Sequence, residues 1–516
     1  MEMRKTLLLA IVCAVTGVQD VAAVPRKTVI WHGWDMLRVT TEDVWRNREK
    51  FADAGCDGVL FPLSRTTKSG RFVPARHVLG AETLTAADLE KSVELARECL
   101  REDGLRDSLV LFVMIPKKRV SWHDDVEWER ACSNVAVIAR AAKKAGFKGL
   151  AIDNEDYTKQ RQFMHRDEDP DVPEIQELAR RRGRNFFRAL FGEFPDALVL
   201  SFWSFSDKEW VVRAPDSKYA QSIGGFLWMS FLDGMLDAIP PGAKFVSGNE
   251  ENGYRCDGDE DAFRVLRDLS TRGSVAMASP ENRRKFMSQV SVTFGQYVDM
   301  TIFPEKHRWY RPALEGSRMR RFQRNLAAAT AVSDDLIWMY GERGTIVDWD
   351  VKGNSWFRQN PTWESKLPGF AQILRTAGGD LRSFRELADK GLLKRLALES
   401  TEPVRLTDNV PKRIACRDRV HAGDVVYVRM KKAGPYPSVS VKWTKDGGPA
   451  KVKSSGLIVP EGDKADSLSE CTIDERFVVP EGADGLELVL GAPWAKRAGV
   501  TYRDMELYVF EQKDAK

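Results

Sequence analysis

Clustered histidine is what this sequence most plainly lacks. Its six histidines (His32, His77, His123, His165, His307, His421) stand apart and no H-x-H pair occurs. A metal-dependent hydrolase or deacetylase would want such ligands close together, so no metal and no cofactor is called for. Paired cysteine is missing too. Of seven cysteines, Cys13 lies in the N-terminal apolar segment, and the other six show no C-x-x-C spacing. Cys416 and Cys471 are the two in the C-terminal region, and the sequence does not settle whether they pair. After the first strand the chain reads His32-Gly33-Trp34-Asp35 rather than a G-x-G-x-x-G dinucleotide loop, and neither a G-x-S-x-G elbow nor a phosphate loop is present. No charge of one sign dominates, with Lys+Arg at 79 against Asp+Glu at 75. That balance argues against a nucleic-acid surface. Beyond the N-terminus no apolar run is long enough to span a bilayer.

What is present begins with a positive start, Arg4-Lys5, an apolar core from Leu7 to about Val18, and small residues at Ala22-Ala23. This pattern predicts a signal peptide over residues 1–23 and export to a secreted or periplasmic location. The length favours more than one domain. From Thr28 to about Gly379 short apolar strands alternate with amphipathic helices, and eight such units in series predict a closed (β/α)8 barrel. Val290–Val298 reads either as the seventh strand or as a continued helix. After about Leu396 helical periodicity stops. Short strands separated by Gly-Gly, Pro-Glu-Gly and Asp-Gly turns predict a β-sandwich. The expected domains are a catalytic barrel over 24–395 and an accessory sandwich over 396–516, which either binds sugar or only stabilises the barrel.

The stretch Gly146-Phe147-Lys148-Gly149-Leu150-Ala151-Ile152-Asp153-Asn154-Glu155-Asp156-Tyr157 is a buried strand ending in three carboxylates. Asp153 and Glu155 are two apart, so in an extended chain they leave the same face. In a barrel the chemistry sits at the C-terminal ends of the strands. Those ends carry Trp34 and Asp35 on strand one, Asp153, Asn154, Glu155 and Tyr157 on strand four, and Trp203 on strand five. Strand six carries Glu250 and Glu251, and strand eight Trp338, Tyr340 and Glu342. Aromatic faces stack on sugar rings, and close carboxylates titrate apart, as acid/base chemistry at a glycosidic bond requires. Each acid also has a plainer reading, as a helix cap, an ion pair or a solvated turn.

The strand-four run resembles the signature of the chitinase-like glycoside hydrolases of family 18. There a series of spaced aspartates closes in Asp-x-Glu, with the Glu as general acid and the preceding Asp orienting the substrate. Asp153 and Glu155 match its last two acids, while Gly149 and Ala151 stand where earlier aspartates would be. Asn154-Glu155 also resembles the strand-four pair of the large retaining β-glycosidase clan, whose nucleophile lies on strand seven, where this chain has no Glu. A third pattern, in α-retaining barrels, places an Asp nucleophile on strand four and an acid on strand six, and Asp153 with Glu250 suits it. These resemblances imply a secreted barrel glycosidase acting on an oligo- or polysaccharide. Glu155 is then the expected acid, Asp153 its partner, and Glu250, Glu251 and Glu342 compete for the second carboxylate. Trp34, Asp35, Asn154, Tyr157, Trp203, Trp338 and Tyr340 are the expected sugar contacts. The rival expectation is a non-catalytic carbohydrate-binding surface protein on a degenerate barrel. Two carboxylates converging from different strands would separate the two. Oligomeric state is not legible.

Overall fold

The computed structural model describes residues 26–155, 161–205, 225–351, 354–378, 381–408, 410–434, 437–452, 456–458, 470–492 and 499–510. The expected signal segment lies outside the described residues. Two compact units emerge, Lys27–Gly378 and Gly379–Glu511.

The first unit is a curled parallel sheet, with strands β1 (Thr28–Gly33), β2 (Gly58–Phe61), β3 (Leu109–Val113), β4 (Gly149–Asp153), β5 (Leu198–Ser201), β6 (Lys244–Ser247), β7 (Val290–Val292 and Gly295–Tyr297) and β8 (Leu336–Gly341). Each strand pairs with the next in order, and β1 pairs with β8 from Thr28↔Leu336 to Gly33↔Gly341, which closes the ring. Strand seven is broken. Its first half pairs with β6 and its second with β8. Thr293 sits in the break, where its N–H donates to the Ser247 carbonyl and its hydroxyl to the Leu336 carbonyl. This break is the physical source of the ambiguous Val290–Val298 pattern.

Helices cover the outside and begin where the sequence supplies caps. Thr40 with Asp43 and Thr85 with Asp88 form reciprocal capping boxes at α1 (Thr41–Arg46) and α2 (Ala86–Cys99). Asp124 and Asp171 cap α3 (Asp125–Ala145) and α4 (Val172–Glu193). α3 ends at Gly146, whose φ of 101° is open to glycine, and the chain turns directly into β4. α5 (Phe226–Ala238) lies against α4 through the backbone of Gly234, where a Cβ would stand 2.0 Å from the Arg180 carbonyl oxygen.

Two apolar layers follow from strand alternation. Val29, Trp31, Leu150, Ile152, Ile337 and Met339 face the helices. Ile30, Leu60, Leu109, Leu111, Ala151, Leu200, Phe202, Val246, Leu336 and Trp338 fill the barrel interior. The interior is packed, so access is at the C-terminal rim.

The second unit carries two antiparallel sheets. One comprises Lys394–Leu396, Val404–Leu406, Val425–Ala433, Cys471–Val478 and Val500–Val509; the other Lys412–Ala415, Ser438–Lys445, Gly448–Pro449, Gly456–Ile458 and Gly485–Gly491. Val426, Val428 and Met430 from the first meet Val439, Val441, Leu486, Leu488 and Leu490 from the second in one core. This is a β-sandwich. Cys416 and Cys471 are both unpaired.

Candidate active site

β4 delivers the first carboxylates. Ala151 points into the barrel interior, so Asp153, two residues on, continues that face at the rim. The resemblance to family 18 meets a steric limit one step earlier. A Cβ at Gly149 would lie 1.8 Å from the Leu198 carbonyl oxygen on β5, so no side chain fits there. Ala151 is fully buried in the interior layer. An aspartate at 149 therefore has no room in this barrel, and one at 151 would be buried in the apolar interior. Asp153 Oδ1 accepts the backbone N–H of Glu155 at 2.9 Å. Burial pushes Asp153 up to about 6, against the pull of that hydrogen bond and of the Arg76 guanidinium.

The turn after β6 delivers the third. Asn249 is fully buried in the left-handed region, at φ 44° and ψ 58°. Asparagine tolerates that region better than most residues. Its side-chain amide donates to the carbonyls of Ser247 (3.2 Å) and Thr293 (3.0 Å), and its oxygen accepts the Ser270 hydroxyl at 2.9 Å. So held, the turn starts α6 (Glu250–Arg255), and Glu250 enters the mouth while Glu251 does not. Glu250 is buried; its Oε2 accepts the Trp203 indole N–H at 2.8 Å and its Oε1 the Tyr254 hydroxyl at 3.1 Å. Burial raises Glu250 well above the ordinary carboxylate range, and the charges of Glu155 and Asp153 raise it further. Three carboxyl groups from β4 and the end of β6 thus lie within electrostatic reach of one another.

β7 and β8 supply an aromatic wall. Tyr340 stacks on Tyr297 (5.4 Å between centroids), on Tyr254 (6.4 Å) and on His32 (5.6 Å). Its hydroxyl accepts the Trp34 indole N–H at 2.8 Å and donates to Glu342 Oε1 at 3.1 Å. The Glu342 backbone N–H donates to Asp299 Oδ2 at 2.8 Å. Asp299 is fully buried, its Oδ1 has no hydrogen-bond partner, and burial pushes it up to about 7. His32 is buried between Phe202 and Tyr340, and burial, with Arg76 nearby, lowers it to about 3, so it is neutral.

The expected residues therefore divide. Asp153, Glu155, Glu250 and Trp203 come together, and Trp34, Tyr340 and Glu342 form the neighbouring group. Asn154 sits between the two β4 acids, partly buried, with its Oδ1 lacking a partner. Two expectations need correction. Trp338 is fully buried, stacked on Phe202 at 4.6 Å with its indole N–H on the Gly248 carbonyl, so it is barrel core rather than a sugar face. Asp35 is fully buried and its two oxygens accept from Trp31, Met36, Ile346 and Trp349, so it ties β1 to the segment after β8. Glu251 pairs with Arg255 one turn along α6. Tyr157 lies outside the described residues. Sequence reasoning passed over Arg76, because a lone arginine in a loop after β2 carries no pattern that ties it to β4. Tyr297 was missed because the strand seven reading was ambiguous.

No helix among the described residues is long and apolar enough to cross a membrane. No protein-family model matches the sequence, and no curated protein matches it. Solved structures do. An α-amylase from Anoxybacillus, titled as a new glycosyl hydrolase subclass, matches at 9% identity and a TM-score of 0.37, covering 90% of this chain and 98% of that one. A sugar phosphate isomerase/epimerase from Parabacteroides distasonis matches at 12% identity and a TM-score of 0.30, covering 70% and 96%. The CBM22-1 xylan-binding domain of Paenibacillus barcinonensis Xyn10C matches at 13% identity and a TM-score of 0.17, covering 24% of this chain and 85% of that domain. Scores this low identify neither a substrate nor a residue's role. The chain is a (β/α)8-barrel protein with a C-terminal β-sandwich.

Proposed function

We propose that this protein is an exported glycoside hydrolase acting on an oligo- or polysaccharide, with Glu250 as the general acid in place of the expected Glu155. One observation carries the reading: Glu250 is buried, held by Trp203 and Tyr254, and faced by two carboxyl groups from another strand. A carboxyl in that setting holds its proton more tightly than a free one, which favours the state an acid needs to protonate a departing glycosidic oxygen. Glu155, standing beyond the end of β4, is the second carboxylate and meets the anomeric carbon directly or through water. Asp153 is the positioning residue behind it, through its hydrogen bond to the Glu155 N–H. Protonation by Glu250 breaks the C–O bond to the leaving sugar, and the oxocarbenium character that develops is stabilised by the negative charge of Glu155. The separation of the two carboxyls sets whether the anomeric configuration is kept or inverted. Trp34, more than a third exposed, and the partly buried Trp203 offer ring faces to the sugar. Asn154 Oδ1 and Glu342 offer acceptors to its hydroxyls.

The test is turnover of a glycan panel by the mature protein, with Glu250→Gln and Glu155→Gln beside it and NMR recording the anomer released. Turnover lost in both variants supports the reading. Turnover that survives Glu250→Gln removes the acid assigned here. Binding without turnover by the wild type leaves a carbohydrate-binding protein instead.

A further inference from the structure

Linked to Asp153 through Arg76 lies a groove of about 460 Å³ that no step of the proposed reaction uses. Its walls follow β1, β2 and β3, so it opens at the same end of the barrel as Asp153. They are Leu37, the hairpin of Ser64–Thr66 and Phe72–Pro74 with its continuation to Leu84, and Lys117. The hairpin is anchored where His77 bridges Val113 and the Val113 N–H donates to the Arg76 carbonyl.

The groove holds an excess of positive charge. Its acid, Glu82, is 79% exposed and is taken by Arg65 at 2.5 Å. Arg76, with the charge of Asp153 acting on it, and Lys117, whose charge also reaches Glu82, complete the cations of the lining. Arg76 is half-buried, gives its Nη1 to the Leu37 carbonyl at 3.1 Å, and is pushed down by burial and by the charge of Arg38. Lys117 is exposed and makes no ion pair among the described residues. His77 between them is lowered by burial, Arg76 and Lys117, and is therefore neutral, a donor or acceptor rather than a third charge. The rest of the lining is apolar, from Leu37, Val73, Pro74, Leu79 and Leu84. A ring with an apolar face and one anionic substituent fits that combination, and a guanidinium beside an ammonium is suited to an oxyanion. Arg76 joins the groove to the reacting end, since Asp153 is the acid that acts on it.

We propose that this groove is an anion-recognising subsite, so that the glycan is acidic and carries a carboxylate or a sulfate ester on a sugar beside the one cleaved. The proposal rests on the hydrolase reading for its reaction but not for its binding. The test is calorimetric binding to the mature Glu250→Gln protein of three probes: an oligouronate, a sulfated oligosaccharide and a neutral oligosaccharide. One acidic probe is expected to bind about 10- to 100-fold more tightly than the neutral one, the size of one or two charge-assisted hydrogen bonds. Which acidic probe prevails distinguishes carboxylate from sulfate. Lys117→Glu is expected to erase the preference and Lys117→Arg to keep it, with melting temperature unchanged because the side chain is exposed. Equal binding of all three probes, or a preference that survives Lys117→Glu, overturns the subsite. An intact preference in a wild-type protein that turns nothing over upholds the subsite and removes the hydrolase. Turnover of neutral glycans without an acidic preference does the reverse.

Discussion

Asp35 and Glu250 are both buried carboxyl groups near the C-terminal ends of barrel strands, one after β1 and one after β6. Burial raises both. They differ in what faces them. Around Asp35 stand four N–H donors, two on each oxygen, all of which oppose the rise. Around Glu250 stand two donors and two carboxyl groups, and the latter add to the rise. Asp35 has its hydrogen-bonding capacity spent inside the protein, as a structural link does. Glu250 is held in place without being electrostatically satisfied, as a group that must release and regain a proton should be. Depth in the barrel does not tell the two apart; the neighbours do.

The largest effect that would sharpen this contrast is Glu250→Gln. With a turned-over glycan in hand, kcat is expected to fall by about 10²- to 10⁴-fold, the usual size for loss of a general acid. Urea unfolding is expected to show stability equal to wild type or higher, because the substitution removes a carboxyl crowded by like charges. A large loss of stability would make Glu250 a second Asp35. Next, Asp35→Ala leaves four buried N–H groups short of an acceptor and is expected to lower unfolding free energy by about 2–4 kcal/mol. An unchanged urea midpoint would break the structural assignment. Third comes pH. Burial raises Asp153 from 3.8 to about 6, so the folded chain keeps a proton that the unfolded chain has released. Stability is therefore expected to decline as pH rises from about 4 to about 6, and Asp153→Asn to make the decline shallower, with Asp35, Glu250 and Asp299 keeping their own share. A slope as steep in the variant as in the wild type would assign all of it to those other carboxyls. The smallest effect is expected from Tyr254→Phe. The Tyr254 hydroxyl lowers Glu250, so its removal should move the alkaline limb of the activity profile upward, by less than about one pH unit. A downward move would reverse the sign argued for the donors.

The barrel was legible because each interior strand is a short apolar run, and in β4 and β8 the alternation places Ala151 and Asp153, or Trp338 and Tyr340, on one face. The β4 acids were legible for the same reason. The choice between Glu250 and Glu251 was not, because the chain leaves the strand through Asn249 and enters a helix. There neighbours diverge by about 100° rather than by a strand's half-turn. That conformation depends on side-chain hydrogen bonds that Asn249 donates to Ser247 and Thr293 and accepts from Ser270, residues as distant as 44 positions. Trp338 and Asp35 show the opposite failure. Aromatic and acidic residues at strand ends look alike in sequence whether they line the mouth or lie beneath it. Only packing, Phe202 on one and four N–H donors on the other, separates them.

The pairing of β1 with β8 has a consequence for synthesis. Thr28 finds its partner at Leu336, so about 300 residues must leave the ribosome before the ring can close, roughly 15–60 s at common translation rates. Through that interval one side of β1 is an open strand edge, with Ile30 and Trp31 beside it, on a chain whose β1–β2 pairing is already available. Nascent chains of this protein should therefore depend on holding factors until β8 emerges, and truncations ending before Leu336 should aggregate where the full barrel does not.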